Sequence, residues 1–329
     1  MTKKEEINKV DIIEDYIYDL SPELLDVLLK DRSSKKNIIW ATDNYIPFGK
    51  GYDVEDEIKT KAIINIHNSV IKPRVNKTKS EQEYRIKEKA EVFTPSYICN
   101  KQNNQIDEHW FGRKNVFNKE IEKGWKTNDE PIDFKRKSWQ EYVNDIRLEI
   151  SCGEAPYLVS RYDAVSGKII EVKDRIGLLD RKLRVVGEHC EEKNDWLNYA
   201  KQSLKAIYGF EWQGDSLLLA RENILFTIID FYKDKFKKHI STKELLEFAE
   251  IISWNVWQMD GTKFVIPCSC KKTESAQISL GLYEEDEEEL IECPGCKKGD
   301  NRLHNGIYCY IKDWNEDKKV KFIDLVEGV

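Results

Sequence analysis

No run in this sequence is apolar over the length that a membrane-spanning helix needs, and its first residues, MTKKEEINK, are hydrophilic. The expectation is a cytoplasmic protein with no membrane partner. Cysteine is scarce for a secreted scaffold. Eight in 329 residues are too few to staple a chain of this size, and in a reducing compartment they read as thiols or metal ligands. Positive charge is short as well: a net charge of −7 argues against a surface that grips duplex DNA unaided.

What the sequence does have is length enough for one large domain with appendages, and an uneven spread of charge. Lys72 to Lys89 holds seven basic residues against three glutamates, whereas Glu284 to Glu289 is almost entirely acidic. The basic stripe reads first as a solvated helix or loop face and second as a phosphate contact. Apolar residues at helical spacing (Ile12, Ile13, Tyr16, Ile17 and Leu20, then Leu24, Leu25, Val27 and Leu28) predict a helical pair. Ser21 would cap the second helix, with Pro22 in its first turn. Asn37 to Thr42 is a strand or a segment pinned on the core, and Asp43-Asn44-Tyr45 is a structural turn. In Phe93-Thr94-Pro95, Thr94 would cap a helix and Pro95 would take its first position. The aromatics from Trp110 to Trp139 read as core rather than as base-stacking platforms.

The chain is organised around Arg147 to Asp163, RLEISCGEAPYLVSRYD. Arg147 to Ile150 reads as a buried strand, Ser151 to Pro156 as a small-residue turn, and Tyr157-Leu158-Val159 as a helix start. A strand ending at a glycine-containing turn before a helix is where an open α/β sheet binds ligand, and the glycine lets backbone N–H groups approach it. The phosphate-binding Gly-x-Gly-x-x-Gly is absent here. Ile207 to Glu211 reads as the next strand, Asp215 to Tyr232 as a long amphipathic helix, Lys243 to Glu250 as another helix and Ile251 to Gly261 as a third strand with its turn. Glu211 stands at a strand tip, where an acid suits the ribose hydroxyls of a nucleoside cofactor.

Glu149 followed by Ser-Cys-Gly and Pro-Tyr-Leu resembles motif I of the gamma-class N6-adenine DNA methyltransferases of restriction–modification systems. Ala90 to Pro95 resembles that family's Phe-Thr-Pro motif, and Ile207 to Trp212 its motif II, in the family's own order. The resemblance spans roughly Lys89 to Asp260 and is closest to short modification subunits. It implies a Rossmann-like α/β core that binds S-adenosylmethionine through Phe93, Thr94, Pro95, Glu149, Cys152, Gly153, Pro156, Glu211, Trp212 and Asp260. The family's Asn/Asp-Pro-Pro-Tyr/Phe motif, which holds the flipped adenine, is missing, and no Pro-Pro occurs anywhere.

In its place stand Cys268-Ser269-Cys270 and, twenty-two residues on, Cys293-Pro294-Gly295-Cys296. Cys268, Cys270, Cys293 and Cys296 are close to a zinc ribbon, with Cys268, His304 or Cys309 as the variable fourth ligand. Val320 to Leu325 closes the chain as a strand-like run. The expected layout is α/β: an N-terminal helical and extended region over 1–88, a Rossmann-like cofactor core over 89–262 and a zinc-ribbon-like region over 263–329. The functional expectation is the cofactor subunit of a split adenine-N6 DNA methyltransferase of a restriction–modification or phage-defence system. Catalysis and DNA contact would belong to a partner chain, in a hetero-oligomer. The alternative is a catalytically inactive, methyltransferase-like subunit that binds DNA or protein. A nuclease built on Asp174, Asp180 and Lys182 would need these residues on paired strands holding Mg²⁺, but the segment 161–205 that contains them reads as loop and helix.

Overall fold

The computed structural model describes residues 10–11, 14–89, 91–135, 137–274 and 290–326. Ile12, Ile13, Ala90 and the acidic run Glu284 to Glu289 lie outside the described residues. Among those described, no helix is long and apolar enough to cross a membrane.

The helical pair forms as its spacing predicts, with α1 at Glu14–Leu20 and α2 at Pro22–Leu29. Ile17, Leu24, Leu25, Leu28 and Leu29 bury one continuous stripe. Ser21 occupies the N-cap position but makes no side-chain cap bond, while Pro22 begins the helix. The run after α2 is the pinned segment rather than a strand. The Gln258 amide both accepts from the Ile39 N–H (2.9 Å) and donates to the Ile39 carbonyl (2.8 Å). That side chain supplies the bonds a neighbouring strand would otherwise have to make.

Helix α3 covers Lys79–Lys89 and α4 covers Ser96–Phe111. Pro95 is the N-cap of α4 rather than its first residue, which leaves Thr94 one position before the cap. The free Ser96 N–H donates instead to Asp163 (2.6 Å), a carboxylate brought in from another loop. A hairpin follows, β1 Asn118–Ile121 with β2 Gly124–Thr127, then α5 Trp139–Asn144 behind a Ser138/Glu141 capping box. Trp110, Phe111, Phe117, Phe134 and Tyr142 pack together in one aromatic cluster, as the core reading expects.

The sheet is small and parallel: β3 Arg147–Glu149, β4 Ile207–Glu211 and β5 Val256–Gln258, in that spatial order. Its register pairs Glu149 with Gly209 and Glu211 with Gln258. Four helices lie in the crossovers: α6 Leu178–His189, α7 Lys193–Lys205, α8 Gly214–Phe236 and α9 Thr242–Asn255. The architecture is mixed α/β.

Four expectations of the α/β core change. Strand β3, expected to be buried through Ile150, stops at Glu149, and Leu148 and Ile150 are exposed. No helix starts at Tyr157. The chain turns there and α6 is delayed to Leu178, whose N–H, with that of Leu179, bonds the carbonyls of Tyr157 and Leu158 (2.8 Å each). The α8 helix is buried nearly all round instead of amphipathic, from Gly214 through Ile229 and again at Phe231 and Tyr232, as befits a helix enclosed by sheet and other helices. The third strand is only three residues, because α9 continues through Ile251–Asn255. Phe248, Ile251, Ile252 and Asn255 are all buried at helical spacing, and the Asn255 amide donates to the carbonyls of Leu204, Lys205 and Ile207.

The C-terminal region adds β6 Thr273–Glu274 paired with β7 Leu290–Ile291, helix α10 Pro294–Lys298, and a ribbon of β8 Tyr310–Asp313 and β9 Lys318–Lys321. The predicted strand-like run at Val320 to Leu325 is strand to Lys321 and a 3-10 turn over Phe322–Leu325. This region rests on the sheet through a second apolar cluster of Phe210, Trp257, Met259, Ile266, Cys309 and Ile311.

Candidate functional site

Strand β3 ends on Glu149 and β4 ends on Glu211, so two carboxylates reach the same edge of the sheet. Beyond β3 the chain coils tightly, with Ser151, Gly153 and Ala155 all left-handed (φ 48°, 53° and 64°). Gly153 takes this conformation without steric cost, and the Phe93 ring lies against its Cα, within 3.7 Å of where a Cβ would stand. The turn ties the strand tips together. Glu211 accepts from the N–H groups of Gly153 (2.8 Å) and Gln213 (3.2 Å), and Glu149 accepts from those of Tyr157 (3.3 Å) and Leu158 (3.2 Å). Asn103 of α4 clips the arrangement by donating to the carbonyls of Tyr157 and Ile176 (3.0 Å each).

These tips open onto a cavity of about 1090 Å³. Of the residues singled out from sequence, Phe93, Thr94, Glu149, Cys152, Gly153, Pro156, Glu211 and Trp212 line it. Pro95 stands behind the wall as the α4 cap. Asp260 lies elsewhere: it accepts from the Thr262 N–H (2.9 Å) and hydroxyl (2.6 Å), pairs with Lys263 (3.5 Å), and borders a separate hollow beside the cysteines. Asp260 therefore closes a turn, because β5 ends two residues earlier than a longer third strand would.

Both cavity acids are almost fully buried, at 8 % exposure. Burial holds Glu149 well above the ordinary glutamate range, with the Glu211 charge adding to it, and burial also raises Glu211. Neither has an ion-pair partner among the described residues. Glu154, in the same turn, points away. It accepts from the Arg74 N–H and the Tyr162 hydroxyl (2.6 Å each) and does not line the cavity.

Sequence reasoning missed the opposite wall. Ala41, Thr42 and Asp43 line the cavity, held there by the Trp212 indole N–H donating to the Ala41 carbonyl (3.0 Å). The basic stripe also does something neither sequence reading foresaw, because part of it turns toward acids of the core and cavity wall. Arg85 is buried and pairs with Glu91 and Asp215 (2.9 Å to the latter), Lys77 lies 3.6 Å from Asp215, and Lys89 pairs with Asp43 (2.8 Å). Tyr45 donates to the same Asp215 (2.7 Å). The turn expected at Asp43 to Tyr45 is the start of a 3-10 helix over Asp43–Phe48; its long-range partners were not legible in the sequence.

Burial alone would raise Asp215, but Arg85 and Lys77 bring it down to about 2. An aspartate whose folded pKa is depressed adds stability above its unfolded pKa and loses it as pH falls through the folded value. The wild-type chain should therefore lose about 2 kcal/mol more than Asp215→Asn between roughly pH 4 and pH 2. Urea unfolding at those two pH values measures the difference, and equal losses would refute it.

The nuclease candidates separate. Asp174 accepts from the Thr127 hydroxyl (2.7 Å), Asp180 caps α6 by accepting from Gly177 and Ser160 (2.8 Å), and Lys182 donates to the carbonyls of Val143 and Asp145. Burial lowers Lys182 to about 7. All three are structural.

The second cluster has the geometry of a metal centre. Cys270, Cys293, Cys296 and His304 present ligand atoms within 4.8 Å of one another. The His304 Nδ1 lies 3.6, 3.5 and 3.7 Å from the three sulfurs in that order. A tetrahedral zinc ion with ordinary bond lengths sets sulfur and nitrogen about 3.6 Å apart. His304 Nε2 faces Asn301 Oδ1 at 3.4 Å, an outer partner of the kind that orients a ligating ring. Cys268 is outside the cluster and sits on the cavity rim, and Cys309 is buried with its thiol donating to the Gln258 carbonyl (3.2 Å). The fourth member of the cluster is thus His304, the second of the alternatives open in the sequence. Burial and the neighbouring cysteines push the Cys270 thiol up to about 12, so three facing sulfurs want a cation between them.

No protein-family model, curated protein or solved structure matches this chain.

Proposed function

We propose that the chain is the S-adenosylmethionine-binding subunit of a split DNA adenine-N6 methyltransferase of a restriction–modification or phage-defence system. The observation that carries this reading is the shared cavity. The acidic tips of two adjacent parallel strands, a left-handed glycine turn and the Phe93-Thr94 segment all open onto it, in the places the motif resemblance assigns to the cofactor. Two desolvated carboxylates without a cation favour a ligand that brings hydroxyl donors and positive charge. S-adenosylmethionine carries a ribose diol, a sulfonium and an ammonium group, and would supply the methyl group.

On this reading, catalysis belongs to a partner chain that carries the Asn-Pro-Pro-Tyr motif. Support for a partner comes from β3, which is an edge strand flanked by exposed apolar side chains: Ile146, Leu148 and Ile150 are 68 %, 43 % and 69 % exposed. Parallel sheets are ordinarily covered at such positions. A zinc ion at Cys270, Cys293, Cys296 and His304 would brace the C-terminal region against the sheet.

Titration calorimetry with S-adenosylmethionine, with the chain alone and together with the product of the neighbouring reading frame, tests the reading. Binding should strengthen as pH rises above the usual glutamate range, because the raised Glu149 and Glu211 must ionise to meet a cationic ligand. Absence of binding in both samples would leave the alternative, an inactive subunit that binds DNA or protein.

A further inference from the structure

Chain order and spatial order coincide in the parallel sheet: β3, β4 and β5 lie side by side, each added to the same side of the one before. An open doubly wound sheet returns to the other side of its first strand, and its ligand crevice lies where the order reverses. Among the described residues that other side of β3 is bare. The Arg147 N–H donates to the Ala206 carbonyl at the start of β4 (2.9 Å). Alternation therefore turns the Leu148 N–H and carbonyl outward, away from β4.

Alternation also sets Ile146, Leu148 and Ile150 on one face of this edge. The C-terminal region covers that face over β4 and β5, where Phe210 and Trp257 are buried, but leaves these three side chains exposed. Between them and the ribbon runs a hollow of about 690 Å³, lined by Ile146 and Leu148, by Tyr208 and Trp257, and by Phe322 and Leu325. Leu148 lines the Glu149–Glu211 cavity too, together with Ile150, so edge, hollow and cavity adjoin. Charge beside the edge is unbalanced. Lys137, Arg147, Lys205 and Lys312 line the hollows on its two flanks, against the carboxylates of Asp145 and Asp313. The chain as a whole carries a net charge of −7.

We propose that the outer edge of β3 accepts a parallel β-strand from a different chain, an apolar strand with acidic residues beside it, which extends the sheet across the interface. The outward amide and carbonyl of Leu148 select extended backbone over a docked helix. The hollow selects apolar side chains at alternate positions of that strand. The basic excess selects acidic flanks. It also disfavours a second copy of this chain, which would bring the same excess to the contact and, across a two-fold axis, could pair only antiparallel. Parallel pairing carries the C-terminal tip of the incoming strand to the cavity mouth beside Glu149, so the partner would complete the cavity wall. Which chain supplies the strand rests on the split-enzyme reading above; that the edge takes a strand rests on the sheet alone.

Light scattering and hydrogen exchange on the full chain, alone and mixed with the product of the neighbouring reading frame, test it. The mixture should form a complex of one copy of each, with exchange slowed over residues 146–150. Leu148→Pro removes an N–H that bonds nothing within the chain, and should weaken the complex about ten-fold or more. Ile146→Glu should weaken it more than Ile146→Lys, because the incoming flanks are acidic, and melting temperatures should show both variants folded. The proposal is overturned by the absence of a complex, by a complex in which residues 146–150 exchange as in the free chain, by undiminished binding in Leu148→Pro and Ile146→Glu, or by a homodimer that Leu148→Pro dissolves. A protected edge in a complex that binds no S-adenosylmethionine would sink the cofactor reading and leave this one standing, so the two failures are distinct.

Discussion

Replacing Cys293 by serine should leave the purified chain without metal and loosen the segment from Glu292 to Cys309, while the parallel sheet survives. The reason is the thinness of what else holds that region. Among the described residues its apolar cluster contains six buried residues, three of which belong to the sheet and the turn after it. A structural zinc site contributes about 10–16 kcal/mol in isolated finger peptides, more than such a cluster supplies. Cys293 is the best-placed ligand to remove. Burial works against its thiolate, but the N–H groups of Cys296 and Asn305 and the His304 ring bring it down to about 6. Metal content by mass spectrometry should be one zinc per chain in the wild type and none in the variant. Cys268→Ser and Cys309→Ser should both retain it, and hydrogen exchange should show faster opening only in Cys293→Ser. A wild-type chain that carries no zinc, with a melting temperature indifferent to chelators, would refute the metal centre.

The elements were legible where local pattern decides them. The α1–α2 pair follows from apolar spacing with Pro22, and β4 follows from a short apolar run ending on an acid; β3 forms where expected but stops at Glu149, with Leu148 and Ile150 exposed rather than buried. The errors share one cause, long-range partners. Tyr157 to Val159 has helical spacing, but the carbonyls of Tyr157 and Leu158 are taken by Leu178 and Leu179, twenty-one residues on. Ile251 to Asn255 is apolar enough for a strand, yet burial on one helical face keeps it in α9. At the cavity, the acids and the glycine turn were readable because strand tips and φ-positive turns leave local signatures. The Ala41–Asp43 wall was not, because it is held by Gln258 and Trp212, more than a hundred and sixty positions away. Three members of the candidate metal cluster were readable as cysteines of two pairs, but pairing wrongly drew in Cys268, and a lone histidine carries no spacing signal, so His304 stood only as an alternative.

Glu211→Gln should reduce affinity for S-adenosylmethionine by at least about 100-fold, and in cells Glu211→Ala should abolish modification. A carboxylate accepting from both hydroxyls of a ribose makes two charge-assisted bonds, each contributing about 1.5–3 kcal/mol. Glutamine keeps the shape and one carbonyl oxygen but turns an acceptor into a donor facing two other donors. The substitution must be chosen with the turn in mind, because Glu211 also accepts from the Gly153 and Gln213 N–H groups. Alanine would strand both, at about 1–3 kcal/mol for each buried unpaired group, so its effect mixes binding with folding. Glutamine retains an acceptor for only one of them, since the two N–H groups bond different carboxylate oxygens, and the melting temperature of each variant separates binding from folding. Glu149→Gln provides the contrast at the neighbouring tip. If Glu211→Gln bound the cofactor as the wild type does while folding normally, the ribose would have to lie elsewhere in the cavity, and the strand-tip acid would be no more than the clasp of its own turn.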